Sequence, residues 1–326
     1  MIEINISEIE GFKIGQAQDE LGATGCSVVI CEKGASAGVD VRGGAPASRE
    51  TELLKPVNLV EQIHAVMLSG GSAYGLDACS GAMQFLEEHG IGFDVQVAVV
   101  PIVCGAALFD LIVGDPKARP DKEMGYKACL NASNEPPSEG NIGAGTGAAV
   151  GKFFGTDRMM KSGLGTFALQ VGELKVGAIV AVNALGNVID IDTGNFIAGL
   201  LSEDKSEIVS TEQAMYDQYE SETNIFSGNT TIGIIVTNAN LTKSQANKIA
   251  SIAHNGLARA IRPVHTMFDG DTVFVMASGG VSAMPDAVGS LASQVMAKAI
   301  NKAALSAVPA YGLKGAIDFK KKNLQR

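Results

Sequence analysis

The segment Ser227-Gly228-Asn229-Thr230-Thr231 sets a small polar turn directly before the apolar run Ile232-Gly233-Ile234-Ile235-Val236. If the Asn229–Thr230 bond is cut, Thr230 gains an α-amine beside its own hydroxyl. A threonine hydroxyl is a poor nucleophile near neutral pH, but an α-amine with a pKa of about 7.7–8.0 can accept its proton, so one residue would supply nucleophile and base. The same five residues also read as a turn entering a buried strand, and on their own they do not separate the two readings.

Three other clusters carry groups that could serve such a nucleophile. Asp269-Gly270-Asp271 places two carboxylates around a glycine turn. Ala181-Val182-Asn183-Ala184 ends an apolar strand with a side-chain amide that could donate to a developing oxyanion, although asparagine is also a good turn former. A glycine-rich loop leads into Lys152 and would bring backbone amides and one cation to a site, although a surface lysine after a turn is the plainer reading. The pattern Gly143-x-Gly145-x-x-Ala148 fits a dinucleotide fingerprint only nominally, because Pro136-Pro137 and loop residues precede it where a strand is required. Gly151-Lys152 fits a phosphate-binding loop no better, since Thr146 stands where its first Gly should and Phe153 where Ser or Thr should. His254 and His265 lack the H-E-x-x-H spacing, so the D-G-D pair is not expected to hold a metal.

The blocks G-N-T-T-I-G-I-I-V-T-N-A-N-L-T (228–242) and R-P-V-H-T-M-F-D-G-D-T-V-F (262–274) resemble the DmpA-type aminopeptidases. That family includes L-aminopeptidase/D-esterases, β-aminopeptidases and nylon-oligomer hydrolases, made as precursors that cut themselves before a Ser or Thr; the Thr form resembles the nylon-oligomer branch most. Further matching blocks are G-A-T-G-C-S-V-V (22–29), V-D-V-R-G-G-A-P (39–46), L-S-G-G-S-A-Y-G-L-D-A (68–78) and G-N-I-G-A-G-T-G-A-A-V-G-K (140–152), so the resemblance covers about residues 10–310.

The resemblance implies cleavage between Asn229 and Thr230, with Thr230 as nucleophile, Asn183 as oxyanion donor, and Lys152 as a catalytic-site cation that lowers the proton affinity of the new amine. It implies Asp269 and Asp271 as carboxylates that orient Thr230, and no cofactor. One position departs from the family. Leu108-Phe109-Asp110 has Phe where a tyrosine is common, so any hydrogen bond from that hydroxyl to substrate is missing, which makes Phe109 a candidate for substrate choice. Tyr74 is expected in the core or as a wall of the pocket.

The elements that must position these groups follow from pattern. The reading is strand, turn, strand over 22–41, a helix over 73–89 stopped by Gly90, strands over 95–100 and 166–182 with Gly172 and Gly177 at turns or bulges, and loop over 131–147. Residues 202–227 read as a polar linker containing a helical pattern at 211–219 that delivers Asn229. A strand over 230–238 follows, then a helix from about 241 to 260 with the capping box Thr242-Lys243-Ser244-Gln245, a strand over 272–276, and a helix over 285–306 with Pro285 in its first turn. This mixture predicts an α/β sandwich. The resemblance sharpens it to a four-layer αββα fold, a single domain over 1–326 processed into 1–229 and 230–326.

Composition bounds the rest. With 326 residues and 46% hydrophobic content the chain can bury a large core, and a net charge of −10 argues against a nucleic-acid partner. The one basic run, Lys320-Lys321-Lys322, reads as a solvated tail. Five cysteines form no C-x-x-C pair, and Met1-Ile2-Glu3-Ile4-Asn5 has no signal-peptide character, so a reducing, cytoplasmic setting is expected. The apolar stretch 95–113 is interrupted by Gln96, Pro101 and Asp110, and is read as buried strand and turn, not a membrane span.

The combined expectation is a self-processing N-terminal-threonine amidohydrolase acting on small peptides, amides or esters, assembled as a homo-oligomer. Endo-type hydrolysis of linear amide oligomers is the alternative enzyme reading. A self-cleaving ornithine acetyltransferase shares the threonine logic without these blocks. The alternative outside enzymes is an uncleaved binding or assembly protein.

Overall fold

The computed structural model describes residues 1–220 and 228–319. Most of the linker's end, 221–227 with Ser227, and the basic tail Lys320-Lys321-Lys322 lie outside the described residues. Ten strands make the framework: β1 (Ile2–Ile4), β2 (Lys13–Asp19), β3 (Thr24–Val41), β4 (Ser48–Arg49), β5 (Gln62–Ser69), β6 (Val103–Ala107), β7 (Leu164–Val171), β8 (Leu174–Asn183), β9 (Thr230–Ala239) and β10 (Thr272–Val281). Among the described residues five α-helices accompany them: α1 (Ala78–Glu88), α2 (Lys122–Leu130), α3 (Thr211–Asp217), α4 (Lys243–Ala260) and α5 (Pro285–Ser306).

The strands hydrogen-bond in the order β1-β7-β8-β9-β10-β3-β5-β6-β4, with β2 also on β3. β9–β10 and β5–β6 pair in parallel; the other pairs are antiparallel. β3 turns this one ladder into two layers. Its first half, around Cys26 to Ile30, lies between β2 and β5, whereas Ser36 to Val41 pair with β10, and the register shifts between Ile30 and Ala35. What reads as strand, turn, strand is therefore one long bent strand.

Alternation of side chains across the strands sorts the core into layers. Val29, Val66 and Leu68 from one sheet meet Ile179, Ile232, Ile234 and Phe274 from the other. The opposite face of the second group, with Val180, Ile235 and Val273, packs on α4 and α5 through Ile249, Leu257 and Val295. The outer face of the first, with Val28 and Met67, packs on α1 and α2. The layers run helices, sheet, sheet, helices, as the resemblance implies.

Several local readings carry over. Thr242 caps α4 with its reciprocal partner Gln245, and Pro285 opens α5. Gly90 follows α1 at φ +69°, and Gly172 turns β7 into β8 at φ +59°. Others do not. Gly177 is a regular paired residue of β8, where an added Cβ would strike Ile6 and Ile9 at 2.9 Å. Residues 95–98 form the tip of a hairpin between Phe93–Asp94 and Val99–Val100, with Val97 93% exposed. Apolarity alone placed that segment in the core, while the buried strand is β6 just after it. α2 was not anticipated, because the helix is short and weakly amphipathic. The helix of 73–89 begins as a 3-10 turn over Ser72–Asp77.

Candidate active site

β8 and β9 pair so that Asn183 stands opposite Thr230. Asn183 shares the parity of Ile179 and Ala181, and Thr230 that of Ile232 and Ile234, so both side chains leave their strands toward the other sheet. Both are buried. Asn229 extends β9 by one bridge onto the turn before β10: its N–H donates to Phe268 O (3.3 Å), and its carbonyl accepts from Gly270 N–H (2.9 Å). The Thr230 hydroxyl donates to that same Asn229 carbonyl oxygen. The turn comes so close that a Cβ on Gly270 would stand 2.9 Å from Thr230 Oγ1 and 3.0 Å from Ala45 O.

The two carboxylates of this turn are buried and differently held. Asp269 accepts from Thr266 N–H and Thr266 Oγ1, both at 2.7 Å. Burial, and then the neighbouring Asp271 charge, raise its pKa to about 6. Asp271 reaches β9, the strand of Thr230, accepting from Thr231 N–H through Oδ1 (2.6 Å), while Oδ2 receives His265 N–H (3.1 Å) and His265 Nδ1 (2.8 Å).

The glycine-rich loop delivers the cation and steadies the amide. Ala149 N–H donates to Asn183 Oδ1 (3.0 Å), and Asn183 Nδ2 donates to Phe109 O (2.8 Å). Gly151, at φ +75°, lies with its backbone against Gly199 and Leu200, leaving no space for a Cβ. Lys152 follows fully buried and donates from Nζ to Gly228 O (3.0 Å). Burial lowers its pKa to about 7, opposed by the charges of Asp269 and Asp110. The Phe109 ring is half-buried and packs on the backbone of Gly228, where a Cβ would stand 2.2 Å from the ring.

Thr230, Asn229, Asn183, Lys152, Asp269, Asp271 and Phe109 thus meet at one end of the two sheets. Tyr74 is not part of the core; it is 61% exposed with the Arg119 guanidinium 3.7 Å from its ring centre. Three further groups were not singled out from sequence. His265 supports Asp271 from a left-handed backbone, φ +58°, uncommon outside glycine. Asp110 is buried, accepts from Thr24 Oγ1 (2.7 Å) and Gly71 N–H (2.6 Å), and has its pKa raised to about 6 by burial. Lys161 is buried behind the loop. Asp110 left a trace, a charge inside an apolar stretch, and His265 sits in the same block as the carboxylates; Lys161 left none.

Chemically, the cluster places a hydroxyl against a peptide carbonyl, with an amide N–H on that carbonyl oxygen and a cation and carboxylates around it. Among the described residues no group of three or more His, Cys, Asp or Glu could hold a metal ion, and no helix is long and apolar enough to cross a membrane. A cleft of about 460 Å³ beside Gln62, His64 and Leu241 lies past the far end of β9, away from Thr230.

The model of peptidase family S58 matches residues 5–317. An uncharacterised aminopeptidase of Mycobacterium tuberculosis is 40% identical, covering 95% of this chain and 96% of its own. The 6-aminohexanoate-oligomer endohydrolase of Paenarthrobacter ureafaciens is 31% identical over 91% of this chain and 84% of its own. The fold matches that of an L-aminopeptidase D-Ala-esterase/amidase from Ochrobactrum anthropi, with a TM-score of 0.73 at 16% identity, covering 98% of this chain and 92% of that one. With the fold, the end-of-sheet cluster and these matches agreeing, the chain belongs to peptidase family S58, the DmpA-type aminopeptidases it resembles, and shares the fold of an N-terminal-nucleophile hydrolase.

Proposed function

We propose that the chain cuts itself between Asn229 and Thr230, and that the freed Thr230 then hydrolyses small peptides, amides or esters through an acyl-Thr230 intermediate. The contact of the Thr230 hydroxyl with the Asn229 carbonyl carries this reading, because it sets the nucleophile against the bond to be broken. Asn183 is assigned as an oxyanion donor in turnover, Lys152 as the cation that tunes the new amine, and Asp269 and Asp271 as the groups that orient Thr230. Processing gives chains 1–229 and 230–326 of one domain, expected to assemble as a homo-oligomer of such pairs in the cytoplasm, with no nucleic-acid partner. Aminopeptidase action is the first choice. Endo-type hydrolysis of amide oligomers is the second, favoured by the similarity to the 6-aminohexanoate-oligomer endohydrolase and by the hydroxyl-free Phe109 beside Gly228.

Intact mass of the purified protein tests this directly. The expected result is two chains of 229 and 97 residues (326 − 229), the second beginning Thr-Thr-Ile-Gly-Ile. Thr230→Ala should stay a single inactive chain, and Thr230→Ser should still cut because the attacking oxygen remains. A fully processed Thr230→Ala protein overturns the reading, and a wild-type chain that never cuts favours an uncleaved binding role.

A further inference from the structure

Self-cleavage and turnover are two acyl transfers at one hydroxyl, but the carbonyl attacked differs, and so does the surrounding of its oxygen. In self-cleavage the electrophile is the Asn229 carbonyl. Its oxygen receives Gly270 N–H at 2.9 Å. That N–H belongs to a peptide unit gripped at its other end, because the Asp269 carbonyl accepts from Ala45 N–H at 2.8 Å. The flanking residues are fixed as well: the Asp269 carboxylate is bound twice to Thr266, and Thr272 Oγ1 donates to Gly270 O at 2.9 Å. The dipole is therefore aimed before any charge develops, which is the condition for effective oxyanion stabilisation.

Asn183 hydrogen-bonds elsewhere. Its Oδ1 receives Ala149 N–H and one of its two Nδ2 hydrogens goes to Phe109 O, and neither bond is to the Asn229 oxygen. Glycine at 270 also has a steric reason. Any side chain there would push the turn away from Thr230 Oγ1 and take the N–H with it.

We infer that Gly270 N–H is the oxyanion donor of the self-cleavage step, and that the amide of Asn183 is needed for turnover but not for that step. The inference rests on the reading that the Asn229–Thr230 bond is cut. Thr230 Oγ1 forms a bond to the Asn229 carbonyl carbon, the carbonyl electron pair moves onto the oxygen held by Gly270 N–H, and the tetrahedral species collapses with rupture of the Asn229–Thr230 C–N bond. The proton lost by the hydroxyl ends on the departing nitrogen. Water then hydrolyses the resulting ester, giving the Asn229 carboxylic acid and restoring the Thr230 hydroxyl beside a free amine.

The test exchanges the N–H itself. Glycolic acid placed at position 270 by nonsense suppression replaces the amide N–H by an ester oxygen, and alkaline scission at that ester verifies the incorporation. The first-order rate of self-cleavage, followed by mass, should fall about 100- to 1,000-fold. An unchanged rate overturns the inference. Asn183→Ala provides the second arm and decides the matter should the ester chain not fold. Its kcat on an aminoacyl p-nitroanilide should fall at least about tenfold further than its rate of self-cleavage, given the size of a lost oxyanion donor. Equal losses in both rates, in a chain that melts cooperatively, overturn the inference. Failure of the wild-type chain to cut at all would instead remove the proposed function on which it stands.

Discussion

Lys152 and Lys161 are both fully buried, both follow the same glycine-rich loop, and have pKa values lowered to about 7 by burial. Their surroundings differ. Lys161 donates to Gly145 O (3.0 Å), Ala148 O (2.9 Å) and the Ser162 carbonyl, so its three donors are used on backbone, two of whose carbonyls also accept a backbone N–H. Lys152 donates to Gly228 O, one residue before the proposed scissile pair, and feels the charges of Asp269 and Asp110. One lysine holds the loop together from behind; the other holds the residue just before Asn229, where we propose the chain is cut. Burial of a cation does not by itself mark function, and the identity of its partners does.

The two carboxylates around Gly270 differ in the same way. Asp269 is closed onto Thr266 within its own turn, whereas Asp271 links Thr231 of β9 to His265.

The largest expected effect separates the lysines. Lys152→Met should lower kcat by about 100-fold, the scale of a lost electrostatic group at a reacting centre, with little loss of melting temperature because burying a charge is itself costly. Lys161→Met should do the reverse, costing about 3 kcal/mol in denaturant unfolding as three backbone carbonyls each lose a charged donor, with kcat changed far less. Equal kcat losses in the two variants would break the distinction.

A second expectation is in the pH dependence of stability. Both folded lysines release their protons near pH 7, whereas the unfolded chain holds them to about 10.4. Between those values the unfolded state binds more protons, so this contribution makes stability rise with pH, and it is fully present above the unfolded pKa. Each single Met variant should flatten the rise measured by urea unfolding between pH 7 and 10, and the double variant should flatten it most. A slope unchanged in both would show that the lysines stay charged when buried.

The smallest effect belongs to the carboxylate pair. His265→Ala removes the donor to Asp271 Oδ2 and should lower kcat about tenfold with KM nearly unchanged, matching the ~1.5 kcal/mol of one hydrogen bond to a charged group. His265→Asn, which retains a side-chain donor, should recover part of it. A change confined to melting temperature would reduce His265 to a packing residue.

The strands β9 and β10 and the helices α4 and α5 were legible because each carries its own local signal: a turn before an apolar run, a capping box, a proline in a first turn. The segment around Val97 shows where such signals stop, since the same run of valines serves a buried strand or an exposed hairpin, and only the neighbours decide. β3 is similar. A glycine-containing interruption reads as a turn, yet the chain continues as one strand because β5 and β10 are there to pair with its two halves.

By itself, the sequence determined which residues could do chemistry and the order in which they come: Asn229 and Thr230 before an apolar run, Asp269 and Asp271 around Gly270, Lys152 after a glycine-rich loop, Asn183 at a strand end. Those are matters of residue type and short-range spacing, which the chain states locally. The tertiary structure alone decided that Asn183 faces Thr230, that the Gly270 N–H rests on the Asn229 carbonyl, and that Lys161 holds a loop while Lys152 holds Gly228. These contacts join residues 16 to 76 positions apart, and their energies depend on burial and on partners supplied by other strands, which no local pattern encodes.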